Sequence, residues 1–384
     1  MKSTTVSYWF PKVWGYYLSY TLPLGTVLLY FLHPSAPLLM LAYAFIFIPI
    51  WDALVGKDRV NVADETSKEM DNAFSYKFCL MLVLPVQLAL LAFATHYAVL
   101  EGIQSLSFWG LAIATGISAT GLAATSGHEL IHRTDKWEYL FGTLSFGTFA
   151  YSHFAVEHVI GHHVRVSTKE DPTSSRLGET LYQFLPRTII GSYLSFYAFE
   201  KKRLARRQIP FFSLNNRIVS YALIPLVYMA LLTLIWGKMS IVFFLAQAAV
   251  AIILVEMVNY IEHYGLERKE IAPGRYEKVT PYHSWNADHS ISNYLLFRLP
   301  RHSDHHANAT RKYQILRTFD DSPQMPYGYT GMYVLAVFPP LWRKVMDPLV
   351  AEYRQKLESF RQEEKKEFYI QESRKFNEES ALSQ

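Results

Sequence analysis

The chain has 384 residues, 51% of them hydrophobic and only 18% charged, against about 25% charged in a typical soluble domain. Its one cysteine, Cys79, excludes a disulfide framework, a cysteine zinc site and a cysteine-held iron site. The formal net charge of +4 is mild and no basic stripe is interleaved with aromatics, which sets nucleic acid aside as a partner.

Long apolar runs account for the charge deficit. A bilayer core roughly 30 Å thick needs about 20 apolar residues in a helix, and the runs predict transmembrane helices at about 13–32, 37–55, 78–100, 107–125, 218–236 and 240–261. The short turns at 33–36, 101–106 and 237–239 pair them into hairpins. The start, MKSTTVSYWFPKVW, has no small-residue cleavage site after its first apolar run, so the first span is expected to stay. Lys and Arg mark the cytoplasmic side. They fall at Lys2 and Lys12, at Lys57, Arg59, Lys68 and Lys77, throughout 133–217 and after 267. Both termini and both long loops are therefore expected in the cytoplasm. The expectation is an all-α polytopic membrane protein, a single membrane-embedded catalytic domain over 1–384, with cytoplasmic segments 126–217 and 262–328.

Residues 201–207, KKRLARR, read most simply as a segment touching lipid headgroups, and more sharply as a dock for an acidic protein. The apolar stretch 329–346 is interrupted by Pro339 and Pro340, which predicts an interfacial or re-entrant piece. From 350 to 384 the pattern is a charged helix that frays into a polar tail.

Fourteen histidines are distributed unevenly, and three clusters hold eight of them. These are His128-Glu129-Leu130-Ile131-His132, Glu157-His158-Val159-Ile160-Gly161-His162-His163 and Arg301-His302-Ser303-Asp304-His305-His306. A ninth, His263, follows the sixth span. Each cluster holds an i, i+4 pair (128/132, 158/162, 302/306), which on a helix points both rings one way. The charge-derived topology sends the fourth and sixth spans toward the same side, so all nine rings can converge there. His33 and His96 fall at the opposite face.

A lone histidine is most often a hydrogen-bonded structural residue. Nine in repeated pairs would be costly to bury without partners, and a metal centre explains them together. They are too many for one tetrahedral zinc, which implies two metals. Two iron ions, each with four or five nitrogens and a position left for dioxygen, account for the number better than zinc. Glu129, Glu157, Glu262 and Asp304 interleave with these rings and are expected to accept from their distal N–H groups.

The motifs HELIH, EHxxGHH, NYIEHYG and RHSDHHA, in this order between apolar hairpins, resemble the integral-membrane alkane monooxygenases, or alkane 1-hydroxylases. The resemblance covers roughly residues 45–345, including IPIWDALVGKD, STKEDPTSSRLGE and HSWN. It implies a nonheme di-iron centre that uses dioxygen and two electrons to hydroxylate the terminal carbon of a medium-chain alkane, in a bacterial inner membrane. It carries ligation to His128, His132, His158, His162, His163, His263, His302, His305 and His306. Two departures are visible: Ile131 replaces a glycine common in the first box, and Pro300 a glutamine that often precedes the third.

An alkane offers no group to grip, so recognition rests on shape and apolar burial, about 0.8 kcal/mol per methylene, with membrane lipid as reservoir. Stepping back from His128 along the fourth span gives Ala124, Gly121, Ile117 and Ala114, a face of mostly small residues. Close helix packing is the ordinary reading of such a face, and a substrate channel, with Trp51 as a further wall residue, is the sharper one. Electrons require a separate donor, because the chain has neither four thiolates nor a GxGxxG fingerprint. By resemblance the donor is rubredoxin, reduced in turn by rubredoxin reductase. The alternatives are a membrane fatty-acyl desaturase or hydroxylase, with the same boxes, and an intramembrane zinc metalloprotease built on HELIH alone. A metal transporter is disfavoured because the histidines gather at one face.

Overall fold

The computed structural model describes the backbone of residues 13–382 and the side chains of residues 13–362. Lys2 and Lys12 lie outside the described residues.

The chain begins with a 3-10 segment, Trp14–Tyr20, that runs into helix α1 (Thr21–Leu32). Then come α2 (Ala36–Val55), α3 (Phe74–Glu101) and α4 (Leu106–Ile131), followed by α5 (Lys136–Gly147) and α6 (Leu181–Arg207). The second membrane hairpin is α7 (Arg217–Trp236) and α8 (Met239–His263). A two-stranded antiparallel hairpin, β1 (Glu270–Ala272) and β2 (Arg275–Tyr276), follows. After a short helix at Ser290–Leu295 come α9 (His302–Ala307), α10 (Tyr329–Ala336) and α11 (Pro339–Leu382).

Five of the described helices, α2, α3, α4, α7 and α8, are long and apolar enough to cross a membrane. The first expected span is not among them. Its opening turns carry Tyr16, Tyr17, Ser19 and Tyr20, which dilute its apolar character, and the Tyr20 hydroxyl donates to the Cys79 carbonyl. The expected turns are tight for local reasons. Gly102 and Gly237 stop α3 and α7 at φ of 77° and 80°, a region open to glycine at no steric cost. Ser105 then caps α4 by accepting from the Phe108 N–H at 3.0 Å.

The spans differ sharply in surroundings. The apolar window of α4 is 83% buried inside the protein, that of α7 only 6%. On α7 the side chains of Leu226, Leu231, Leu234 and Ile235 are exposed, as a lipid-facing helix requires. The small residues of α4 let α8 come close: a Cβ on Gly116 would stand 2.6 Å from the Val250 Cβ.

Pro339 does interrupt the apolar stretch after 329, but as the first residue of a new helix, where its missing N–H costs nothing. The charged tail expected from 350 continues that same helix. Trp342, Met346 and Val350 of α11 pack in the main core beside Tyr260 and Tyr264. At the end of α6, Lys201, Lys202, Arg206 and Arg207 are exposed, while Arg203 pairs with the buried Glu200.

Candidate metal centre

The histidines lie where apolar spans give way to polar segments. His128 is in the last turn of α4, His132 follows it, and His263 ends α8. His158, His162 and His163 come from the segment between α5 and α6, and His302, His305 and His306 from α9. All nine are drawn into two adjacent groups. Ring nitrogens of His128, His132, His158, His163 and His305 lie within 4.8 Å of one another, and so do those of His162, His263, His302 and His306. The groups touch: the His163 and His306 rings stack with centroids 4.3 Å apart.

The partition departs from helical spacing at one place. His128 and His132 share a group, as do His302 and His306, but His158 pairs with His163, and His162 goes to the other group. The reason is a π-helical segment, Glu157–His162, whose wide turn brings residues five apart into line. The His158 and His163 Nε2 atoms are 3.0 Å apart.

Within each group the rings present Nε2 to a common centre. Nε2 separations are 3.1 Å for His305–His163, 2.9 Å for His306–His302, 3.3 Å for His302–His263 and 3.2 Å for His162–His306. The buried Nε2 atoms of His128 and His132 have no hydrogen-bond partner. Burial pushes His132, His158, His163, His302, His305 and His306 well below the ordinary imidazole pKa. These are neutral rings crowding their lone pairs together, an arrangement that a cation at each centre relieves. Nine nitrogens are more than one tetrahedral zinc takes, and the five-ring group alone exceeds its four ligands; groups of this size suit five- or six-coordinate imidazole-binding metals.

Each of the carboxylates expected behind the rings has another task. Glu129 accepts from Arg133 and from the Tyr313 N–H. Glu157 accepts from Arg165 and Ser195. Asp304 anchors α9 by accepting from Arg311, Asn308 and the Arg317 N–H. Among the described residues none of these three bonds to a histidine ring, because each is taken up by a neighbouring cation. Glu262 does approach one, but from the metal-facing side: its Oε2 lies 3.1 Å from His302 Nε2, while its Oε1 accepts from the Tyr329 hydroxyl at 2.7 Å.

The acid that does stand behind a ring is Asp171, not singled out from the sequence. Its Oδ2 accepts from His162 Nδ1 at 2.7 Å, and the Thr173 and Ser174 hydroxyls donate to it. Burial alone would raise the Asp171 pKa, but the His162 ring and the Ser174 hydroxyl hold it below the usual carboxylate range. Its available signal was an acid nine residues after His162 with Pro, Thr and Ser behind it, inside STKEDPTSSRLGE.

Two cavities follow α4 toward the histidines. One cavity is bordered by Ala124, His128, His158, Val258 and His302, so it opens on both ring groups. A second, farther from the histidines along α4, is bordered by Ile117, Gly121, Leu22, Leu254 and Tyr333. Of the channel residues expected from the sequence, Ile117, Gly121 and Ala124 thus border cavities. Ala114 does not: it is fully buried in the packed core. The regular stepping fails there because Ala119–Ala124 is a second π segment that rotates the helix face. Trp51 also lies elsewhere, on an outward groove between α1 and α2 with Leu24, Leu28 and Phe47.

The fatty acid desaturase family model matches residues 104–336. Alkane 1-monooxygenase 2 of Pseudomonas aeruginosa is 42% identical, covering 90% of this chain and 91% of that protein. Alkane 1-monooxygenase 2 of Alcanivorax borkumensis is 42% identical over 81% and 82% of the two chains, and alkane 1-monooxygenase 1 of Pseudomonas aeruginosa 40% over 79% and 80%. With the histidine boxes assembled in this order and these relatives matched over most of its length, the chain belongs to the alkane 1-monooxygenase family of the histidine-box superfamily.

Proposed function

We propose that the protein is a membrane nonheme di-iron monooxygenase that hydroxylates the terminal carbon of medium-chain n-alkanes with dioxygen and electrons from rubredoxin. The observation that carries the reading is the cavity that opens on both ring groups. Its remaining wall is largely apolar, with Ala124, Phe146, Phe154, Val255 and Val258. A largely apolar space ending on nitrogen donors suits a hydrocarbon brought to a metal.

Two bound irons would supply dioxygen binding and its reduction, one oxygen atom going to the alcohol and the other to water with two electrons and two protons. The protein's own residues do the rest. Six of the rings are held neutral by burial, and Asp171 fixes the His162 tautomer by taking its Nδ1–H. Val255, Val258 and Phe154 exclude water from the reacting end of the chain, and each buried methylene contributes about 0.8 kcal/mol to its retention. Electrons come from outside the chain, since Cys79 is alone and buried. In this reading the histidine end of the spans faces the cytoplasm of a bacterial inner membrane, with both termini there. Rubredoxin, recharged by its reductase, docks on that side.

A zinc protease reading requires Glu129 to activate water beside His128 and His132, and Glu129 instead holds Arg133 and the Tyr313 backbone. Iron analysis with Mössbauer spectroscopy on the purified membrane protein, followed by octane turnover with rubredoxin and its reductase, tests the proposal. The expected result is two irons per chain and 1-octanol. One zinc and no iron, or an alkene product, would end it.

A further inference from the structure

The two cavities lie one after the other along the same pair of helices. On α4, Ile117 and Gly121 border the deep cavity, and Ala124, Thr125 and His128 the one at the histidines. On α8, Leu254 borders the deep cavity, and Val255, Val258 and Glu262 the other. Among the described residues, Thr120 alone borders both. It sits on the π segment of α4, and its hydroxyl donates to the Gly116 carbonyl at 3.1 Å and the Ala251 carbonyl at 3.2 Å, tying α4 to α8 at this level. A second link crosses the same boundary: Tyr329, which borders the deep cavity, donates to Glu262, which borders the histidine-side cavity.

Both links are polar groups satisfied by each other or by backbone, in walls whose other residues are mostly apolar. They impose no desolvation penalty on a methylene chain, and they stand on the border that the two cavities share. Resting on the alkane reading above, we infer that Thr120 and the Tyr329–Glu262 pair form a divider between two substrate chambers. The histidine-side chamber holds the reacting end of every alkane, and the deep chamber admits only the tails of longer ones. Thr120 is eight residues from His128 on α4, about 12 Å at 1.5 Å per residue. At roughly 1.2 Å per bond in an extended chain, a hydrocarbon reaches the divider after about ten bonds, at about eleven carbons. Thr120 is thus a specificity-determining residue.

The test uses the full-length, iron-loaded enzyme in lipid nanodiscs with its electron donors and n-alkanes from hexane to hexadecane. Thr120→Leu narrows the passage and Leu254→Trp fills the deep chamber. Both should lower the ratio of dodecane to hexane turnover in the same way, by about fourfold for each methylene that no longer finds a place. A second readout needs no turnover. The natural cysteine, Cys79, is fully buried, so in Leu254→Cys a small apolar thiol reagent reports on the deep chamber. Dodecane should slow this labelling and hexane should not, and adding Thr120→Leu should remove the protection by dodecane. An iron-loaded Thr120→Leu protein with an unchanged chain-length profile would overturn the divider, and so would equal protection by hexane and dodecane. Failure of the unmodified enzyme to hydroxylate any alkane would instead refute the proposed function, and the labelling would still decide the divider. If Thr120→Leu does not fold, Leu254→Trp and the Leu254→Cys labelling carry the test.

Discussion

The five-ring and four-ring groups are built from interleaved residues of the same segments, yet they are supported differently. The four-ring group has two carboxylates in contact with it, Asp171 behind His162 and Glu262 beside His302. The five-ring group has more nitrogens, and the acids next to its rings in sequence, Glu129, Glu157 and Asp304, face Arg133, Arg165 and Arg311 instead. The group with fewer rings has acids in contact with it, and among the described residues the group with more rings has none. The two metals of the proposed centre should therefore differ in affinity and in electronic character, although histidine is the shared ligand type.

The largest effects come from removing a ring. His263→Ala should empty the four-ring group and His132→Ala the five-ring group, each lowering iron from about two to about one per chain and abolishing alkane turnover. Mössbauer spectra of the two singly loaded proteins should not superimpose. Identical residual spectra would mean that the groups are not separate sites. Next in size is Asp171→Asn, which keeps the shape but removes the charge behind His162. It should weaken iron at the four-ring group by about 10–100-fold and leave the other group loaded, as an iron titration would read.

Much of this site was legible in the sequence because spacing and topology act together. The nine histidines stand out by their pairing, and the apolar runs bring them to one face. Their division into five and four was not legible, since it depends on a π turn that moves His162 to the opposite group from His158. Nothing in the residues Glu157–His162 distinguishes that turn from an ordinary helical one. Hydropathy located α4 and α7 equally well, but it gave no sign that one is enclosed by protein and the other faces outward. That difference comes from neighbours, and only the glycine and alanine content of α4 hinted at it. Asp171 escaped notice because a carboxylate behind a ring is defined by distance, and the acids adjacent to the rings in sequence are claimed by Arg133, Arg165 and Arg311.

A third change should strike both groups equally. Gly161 lies in the π turn between His158 and His162, where α6 approaches closely. A Cβ there would meet Glu157 Oε1 at 2.6 Å and both Arg165 Nη2 and Phe199 Cε2 at 2.9 Å. Glu157 and Arg165 can swing aside, but the Phe199 ring has to move with its helix. Gly161→Ala should cost about 1–3 kcal/mol of stability, the usual range for overpacking, read as a lowered denaturation midpoint. Iron should be lost from both groups in parallel, because the segment supplies His158 and His163 to one and His162 to the other.

The smallest expected effect is the sharpest check on the asymmetry, because it repeats the Asp171 change at the other group. Glu129→Gln keeps an acceptor for the Tyr313 N–H and loses only the charge facing Arg133, which still has Glu138 at 3.8 Å. Since the Glu129 carboxylate touches no ring, iron affinity at the five-ring group should fall by less than about tenfold, below the loss typical when a carboxylate behind a ligand is removed. The comparison with Asp171→Asn uses the same substitution of an acid by its amide, the same titration and the same protein. A loss at Glu129→Gln as large as at Asp171→Asn would mean that charge near either group tunes its metal regardless of contact. A loss confined to Asp171→Asn would locate the tuning in the carboxylate that the His162 Nδ1 reaches.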